Sequence, residues 1–227
     1  MFNITSKFSK MLLYLFGWHL LDPTILQLLR TNPYIICVFS HTSYYDFFFM
    51  ILYYLSYKEL SNLKTLIKPD YFKYIGWLLY KIGGIPSTNI AYKNGGNVTK
   101  IVEVLKSTPS SQLLICPKGT IMKGEWRSGY YQIAKALQAN LIAIGVDYEL
   151  KKINIGNMIS YHLPELEIKS KLYQDLSKIV PLYPEREMMK IRKYDITDVN
   201  VIHPDRLIGF YTIIISCISI LYLYKFN

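Results

Sequence analysis

The chain has 227 residues, enough for one domain with an appendage and for a core that needs no disulfide or metal staples. Hydrophobic residues make up 51% and mean hydropathy is slightly positive, which is high for a freely soluble domain. The net charge of +10 attracts anions, but the basic residues are scattered and no nucleic-acid-binding motif accompanies them, which argues against a nucleic-acid partner.

The three cysteines, Cys37, Cys116 and Cys217, are far apart and form no C-x-x-C pair, so neither a disulfide framework nor a zinc site is expected. The 21 tyrosines suit a membrane interface, because the ring is apolar and the hydroxyl wants water.

In chain order, Phe8 to Leu21 is apolar but shorter than the roughly 20 residues a spanning helix needs. It reads as a helix lying in the membrane interface, within an N-terminal region over 1–30. Tyr34 to Ser40 reads as a buried strand, and Tyr44 to Tyr57 as a helix covered nearly all round. Leu63 to Lys68 is a second strand and Tyr71 to Lys81 a second helix. Asn94-Gly95-Gly96 is a breaker before a helix over Asn97 to Lys106. Gln112 to Cys116 and Leu141 to Val146 are further strands, with a helix from about Gly129 to Gln138 between them. This alternation predicts an α/β domain over 31–205, a mostly parallel sheet covered by helices. Ser160 to Asn200 is polar and aperiodic and receives no assignment.

Leu207 to Tyr224 carries no charge over about 18 residues, roughly 27 Å of helix, with Arg206 and Lys225 as brackets and Tyr near both ends. It predicts a single-pass C-terminal transmembrane anchor over 206–225. One basic residue on each flank leaves orientation open. The expectation is a membrane protein whose domain faces the cytosol.

The strongest chemical signal is His41-Thr42-Ser43-Tyr44-Tyr45-Asp46, between an apolar strand and an apolar helix. On a regular helix His41 and Asp46 would lie about 140° apart. With His41 in the loop and Asp46 in the first helical turn, the carboxylate can orient the imidazole as a general base. The same spacing also fits a capping box from Ser43 to Asp46, in which the carboxylate only satisfies backbone amides. Spacing alone leaves both readings open.

His41 to Asp46 matches the H-x4-D motif of the glycerolipid acyltransferase family, which includes the 1-acylglycerol-3-phosphate acyltransferases. Lys81-Ile82-Gly83-Gly84-Ile85-Pro86 resembles that family's glycine-rich segment leading to G-I-P. Cys116-Pro117-Lys118-Gly119-Thr120 resembles its P-E-G-T motif, and Glu125 to Ala134 a W-[KR]-[ST]-G-[FY]-x-x-I-A segment. Leu141 to Tyr148 sits where the family has a fourth motif. The resemblance covers about Tyr34 to Ile155, with the motifs in order.

It implies transfer of a fatty acyl chain from an acyl thioester to a lysophospholipid hydroxyl, with His41 as general base and Asp46 orienting it. Acyl-CoA or acyl carrier protein would be the donor, with no bound cofactor and no metal. Substrate contacts would come from Gly84, Ile85, Pro86, Lys118, Gly119, Thr120 and Arg127, with Lys93 and Lys123 as further cations near the acceptor phosphate. Two departures stand out. Asn89 lies at about the position of the family's Arg after G-I-P, and Lys118 replaces the Glu of its third motif. Lys118 is expected to supply the charge that the missing Arg would have brought. The competing reading is a catalytically silent lipid-binding membrane protein on the same fold.

Overall fold

The computed structural model describes residues 2–32, 34–87, 96–108 and 111–187. The anchor expected over 206–225, the end of the expected domain, and Asn89 and Lys93 lie outside them. Among the described residues no helix is long and apolar enough to cross a membrane.

Helices α1 (Phe2–Leu15) and α2 (Pro23–Thr31) precede strand β1 (Ile35–Phe39) and helix α3 (Tyr44–Ser56). Strand β2 (Leu63–Ile67), helix α4 (Pro69–Lys81) and strand β3 (Gly84–Pro86) follow. Then come helix α5 (Gly96–Lys106), strand β4 (Gln112–Ile115), helix α6 (Gly129–Leu137), strands β5 (Asn140–Asp147) and β6 (Lys152–Ile155), and helix α7 (Glu165–Leu176). The sheet order is β3-β2-β4-β1-β5-β6, with β6 antiparallel to β5 and every other pairing parallel.

Side-chain alternation divides the core into two layers. On β1, Ile35, Cys37 and Phe39 point into a layer built from α1 to α4, whereas Ile36 and Val38 point into one built from α5, α6 and α7. β5 repeats the pattern, with Ile142 and Val146 on the first side and Leu141 and Ala143 on the second. Strands buried on both faces must be apolar at every position, as β1 is over its whole length. Asp46, Phe48, Phe49, Ile51, Leu52, Tyr53, Leu55 and Ser56 of α3 are buried, because α1 packs across the side of α3 that the sheet leaves uncovered.

The N-terminus departs from the expected Phe8–Leu21 helix. α1 ends at Leu15 in a Schellman motif: Gly17 adopts φ +73°, its N–H donates to the Tyr14 carbonyl at 2.9 Å, and the Trp18 N–H donates to the Leu13 carbonyl at 2.8 Å. Trp18 and Leu21 then bury themselves in the core, with Trp18 stacked on Phe49 at 3.9 Å. α1 is two-sided. Ser6, Ser9 and Leu13 are buried on one face, and the Ser6 hydroxyl donates to the Ser56 carbonyl on α3 at 2.6 Å. Ile4, Phe8, Met11 and Leu15, at helical spacing on the opposite face, are exposed.

β3, β6 and α7 lie in segments given no element from the sequence. β3 has three residues, β6 is the return arm of a hairpin, and α7 hides its buried Ile168, Leu172 and Leu176 in a polar stretch.

Candidate active site

In a parallel sheet every strand delivers its following loop to the same edge. β1 lies between β4 and β5, so the loop from Ser40 to Ser43 is flanked by the loop after Ile115 and by the turn after Asp147. That adjacency builds the site.

Ser43 is the N-cap of α3, and its hydroxyl accepts from the Tyr45 N–H at 3.1 Å. Asp46 is the third residue of the helix, and its Oδ2 accepts from the backbone N–H groups of Thr42 and Ser43, both at 2.9 Å. The same oxygen lies 3.1 Å from His41 Nδ1. The capping box and the His-Asp pair are therefore one arrangement: the amides that cap the helix also fix the carboxylate that orients the imidazole. The Asp46 side chain is 3% exposed and that of His41 is 23% exposed, so the carboxylate is sealed while the imidazole reaches solvent. With Nδ1 engaged by Asp46, Nε2 is the nitrogen left to exchange a proton with a substrate.

The other carboxylate oxygen has a partner that sequence reasoning missed. Tyr148, the residue after β5, donates its hydroxyl to Asp46 Oδ1 at 2.7 Å. Its ring meets Trp18 and Phe49 edge-on. Burial and the Asp46 charge push the phenol well above the usual tyrosine range, so it stays a donor. The available signal was a Tyr directly after a buried strand that runs to the same sheet edge.

A second missed group comes from the unassigned C-terminal stretch. A 3-10 turn over Pro184–Arg186 lies against the H-x4-D loop. The Tyr183 N–H donates to the Thr42 hydroxyl at 3.4 Å, and Arg186 donates from Nη1 to the Thr42 carbonyl at 2.9 Å while lying over the Tyr183 ring. Glu187 accepts from the Ser40 hydroxyl and from Lys118 Nζ, the latter at 2.9 Å.

This pairing corrects the expectation for Lys118. Its side chain and that of Glu187 are each 1% exposed, and the ammonium also donates to the Arg186 carbonyl at 3.3 Å. To bind an acceptor phosphate it would have to abandon a buried carboxylate. Lys118 therefore braces the loop after β4 against Ser40 instead of presenting charge to solvent.

The remaining expected residues divide in two. Gly119 is exposed at φ +63° at the end of a turn in which its N–H donates to the Cys116 carbonyl at 3.0 Å. The Thr120 hydroxyl accepts from the Met122 N–H at 3.2 Å. Trp126 packs edge-on against Tyr130 and Tyr173. The Arg127 N–H donates to the Pro117 carbonyl at 3.2 Å, and the exposed Arg127 guanidinium comes close to Gly119. Gly119, Thr120 and Arg127 thus share the loop after β4, the strand beside β1.

Gly84, Ile85 and Pro86 form β3, separated from β1 by two strands, roughly 14 Å at about 4.8 Å per strand. They end at the same edge but do not touch the His-Asp pair. The glycines before Ile85 are set by packing: a Cβ on Gly83 would run into the Leu63 carbonyl, and one on Gly84 would lie 2.7 Å from the Leu79 carbonyl oxygen. The Gly83 N–H donates to the Tyr80 carbonyl at 3.1 Å. Lys123 is exposed on the loop after Gly119.

Cys116 lies at the same edge, but burial outweighs the neighbouring Lys118 charge and raises its thiol, a poor setting for a nucleophile. Among the described residues no group of three His, Cys, Asp or Glu side chains could hold a metal ion.

A search of curated proteins returns no match. A family model described as Acyltransferase matches residues 23–147, which takes in the His-Asp pair, the glycine-rich strand, the loop after β4 and the whole of β5. The match spans more than half of the chain and ends one residue before Tyr148, and the chain belongs to the acyltransferase family, the family of the 1-acylglycerol-3-phosphate acyltransferases.

Proposed function

We propose that the protein transfers a fatty acyl chain from an acyl thioester, acyl-CoA or acyl carrier protein, to the hydroxyl of a lysophospholipid such as 1-acylglycerol 3-phosphate. The observation that carries this reading is the His41–Asp46 pair at 3.1 Å, with the carboxylate sealed and the imidazole partly exposed at the edge where three loops meet. Acyl transfer to an alcohol needs a base for the hydroxyl proton and no redox partner. His41 Nε2 would accept that proton as the oxygen attacks the thioester carbonyl. Asp46 would stabilise the imidazolium, which returns its proton to the departing thiolate. Such a base contributes roughly 10²- to 10⁴-fold.

This reading assigns the acceptor phosphate to Arg127 and the backbone around Gly119 on the loop after β4, since Lys118 is committed to Glu187. The exposed apolar stripe of α1 supports interfacial attachment, and the uncharged run over 207–224 supports an anchor.

Purified full-length protein should acylate at least one member of a lysolipid panel supplied with acyl-CoA or acyl carrier protein. His41→Ala should abolish turnover while the far-ultraviolet circular dichroism is retained, and Asp46→Asn should cost several orders of magnitude. Wild-type turnover in His41→Ala would sink the mechanism. A folded wild type that binds lysolipid but turns over none of the panel would establish the silent lipid-binding alternative.

A further inference from the structure

We propose that the outer face of α4 is a bilayer-contacting surface that sets the mouth of the active site against lipid headgroups. It rests on the lipid-acyltransferase reading only for what enters that mouth. Tyr74, Trp77 and Tyr80 are 83%, 58% and 61% exposed. They recur at i, i+3 and i+6, so they form one stripe, and all three stay at the surface across a local break in helical geometry at Ile75. Leu78 and Leu79 on the other side of the helix are buried in the same core layer that holds Leu13 of α1. α4 thus belongs to the helical layer whose other outer member, α1, also turns an apolar stripe outward.

Three large aromatic rings in one line are costly to leave in water. Trp and Tyr, unlike Leu or Phe, carry a polar tip on an apolar body and favour the boundary between headgroups and acyl chains. The charge around them points the same way. Residues 64–81 carry four lysines, Lys64, Lys68, Lys73 and Lys81, against the single acid Asp70. Such a surface complements anionic lipid and repels a second copy of a chain whose own net charge is +10.

The stripe is joined to the site. Tyr71, in the first turn of α4, is hydrogen-bonded through its side chain to Tyr44, which opens α3 inside the His41–Asp46 segment. Lipid against α4 therefore lies at the rim of the catalytic loop. An amphiphilic acceptor could reach His41 without its chains leaving the bilayer.

Trp77 gives a direct readout of full-length protein on phosphatidylcholine vesicles containing some phosphatidylglycerol. Of the three tryptophans, Trp18 is buried and Trp126 is half-buried in the opposite layer. Shallowly brominated phosphatidylcholine should quench the fluorescence, and Trp77→Phe should remove most of that quenching. The variant Tyr74→Ser/Trp77→Ser/Tyr80→Ser should lower turnover on lysolipid presented in vesicles by roughly tenfold or more. It should leave turnover on a monodisperse short-chain lysolipid within about twofold of wild type. Loss on vesicles alone supports the proposal.

Bound wild-type protein that shows no Trp77-dependent quenching would overturn the proposal, as would equal turnover of the triple variant on vesicles. So would a change of oligomeric state in that variant without lipid, which would make a second copy the occupant. Trp77 quenching in a protein that acylates no lysolipid would leave the surface standing and bring down the catalytic reading instead.

Discussion

Asp46 has both carboxylate oxygens occupied: Oδ2 by two backbone amides and His41, Oδ1 by Tyr148. A hydrogen bond to a charged group contributes about 1.5–3 kcal/mol. Tyr148→Phe should therefore lower kcat by about tenfold or more, with the KM for the acyl donor nearly unchanged, as steady-state kinetics would record. The same substitution has a pH signature. The phenol is raised in the folded state, so its contribution to stability is complete below the unfolded value of about 10 and is lost as pH rises through and beyond it. Alkaline unfolding followed by circular dichroism should be less steep in Tyr148→Phe than in the wild type. Lys118 and Glu187 make the companion case. Lys118→Met would leave a buried carboxylate unpaired and should cost about 3–5 kcal/mol, while Lys118→Met/Glu187→Leu should recover most of that loss. If both variants unfold at the same urea concentration, the ion pair is not what holds the loop.

At the scale of elements, the geometry of the candidate site follows from where strands end. β1, β4 and β5 are neighbours and parallel, so His41, Gly119 and Tyr148 arrive at one edge although they are far apart in sequence. The glycine-rich segment serves this arrangement from a distance by letting the edge strand β3 pack closely on the end of α4. Gly83 combines φ +83° with the Leu63 carbonyl where a Cβ would sit. Gly83→Ala should destabilise the fold by about 3 kcal/mol in urea unfolding. Gly129→Ala, at the start of α6 with nothing within 4 Å of its added Cβ, should leave stability unchanged or slightly higher.

At the scale of the molecule, the domain has a layer whose outer helices offer apolar stripes and an opposite layer, built from α5, α6 and α7, that covers the second face of the sheet. The uncharged run over 207–224, outside the described residues, is the segment proposed as a membrane anchor. Residues 203–227 fused to a soluble reporter should carry it into the membrane fraction and resist carbonate extraction. A reporter that stays soluble would retire the anchor.

The sequence by itself determined what is local or periodic. Short apolar runs such as Ile35–Phe39, too brief for a helix, read as strands buried on both faces, and their alternation with helical segments points to a parallel α/β sheet. His41 and Asp46 were legible because both partners lie within one strand-to-helix junction. Helix α7 was not, because most of its surface is polar and its few buried positions give little contrast. The role of Lys118 was beyond local reading as well. Nothing near it in sequence names Glu187, 69 residues away, as its counter-charge, and a lysine read alone looks like a solvated cation. Tyr148 meets Asp46 across 102 residues for the same reason. Such pairings depend on strand order, and strand order is set by how the two faces of the sheet are covered, which the pattern along any single segment does not encode.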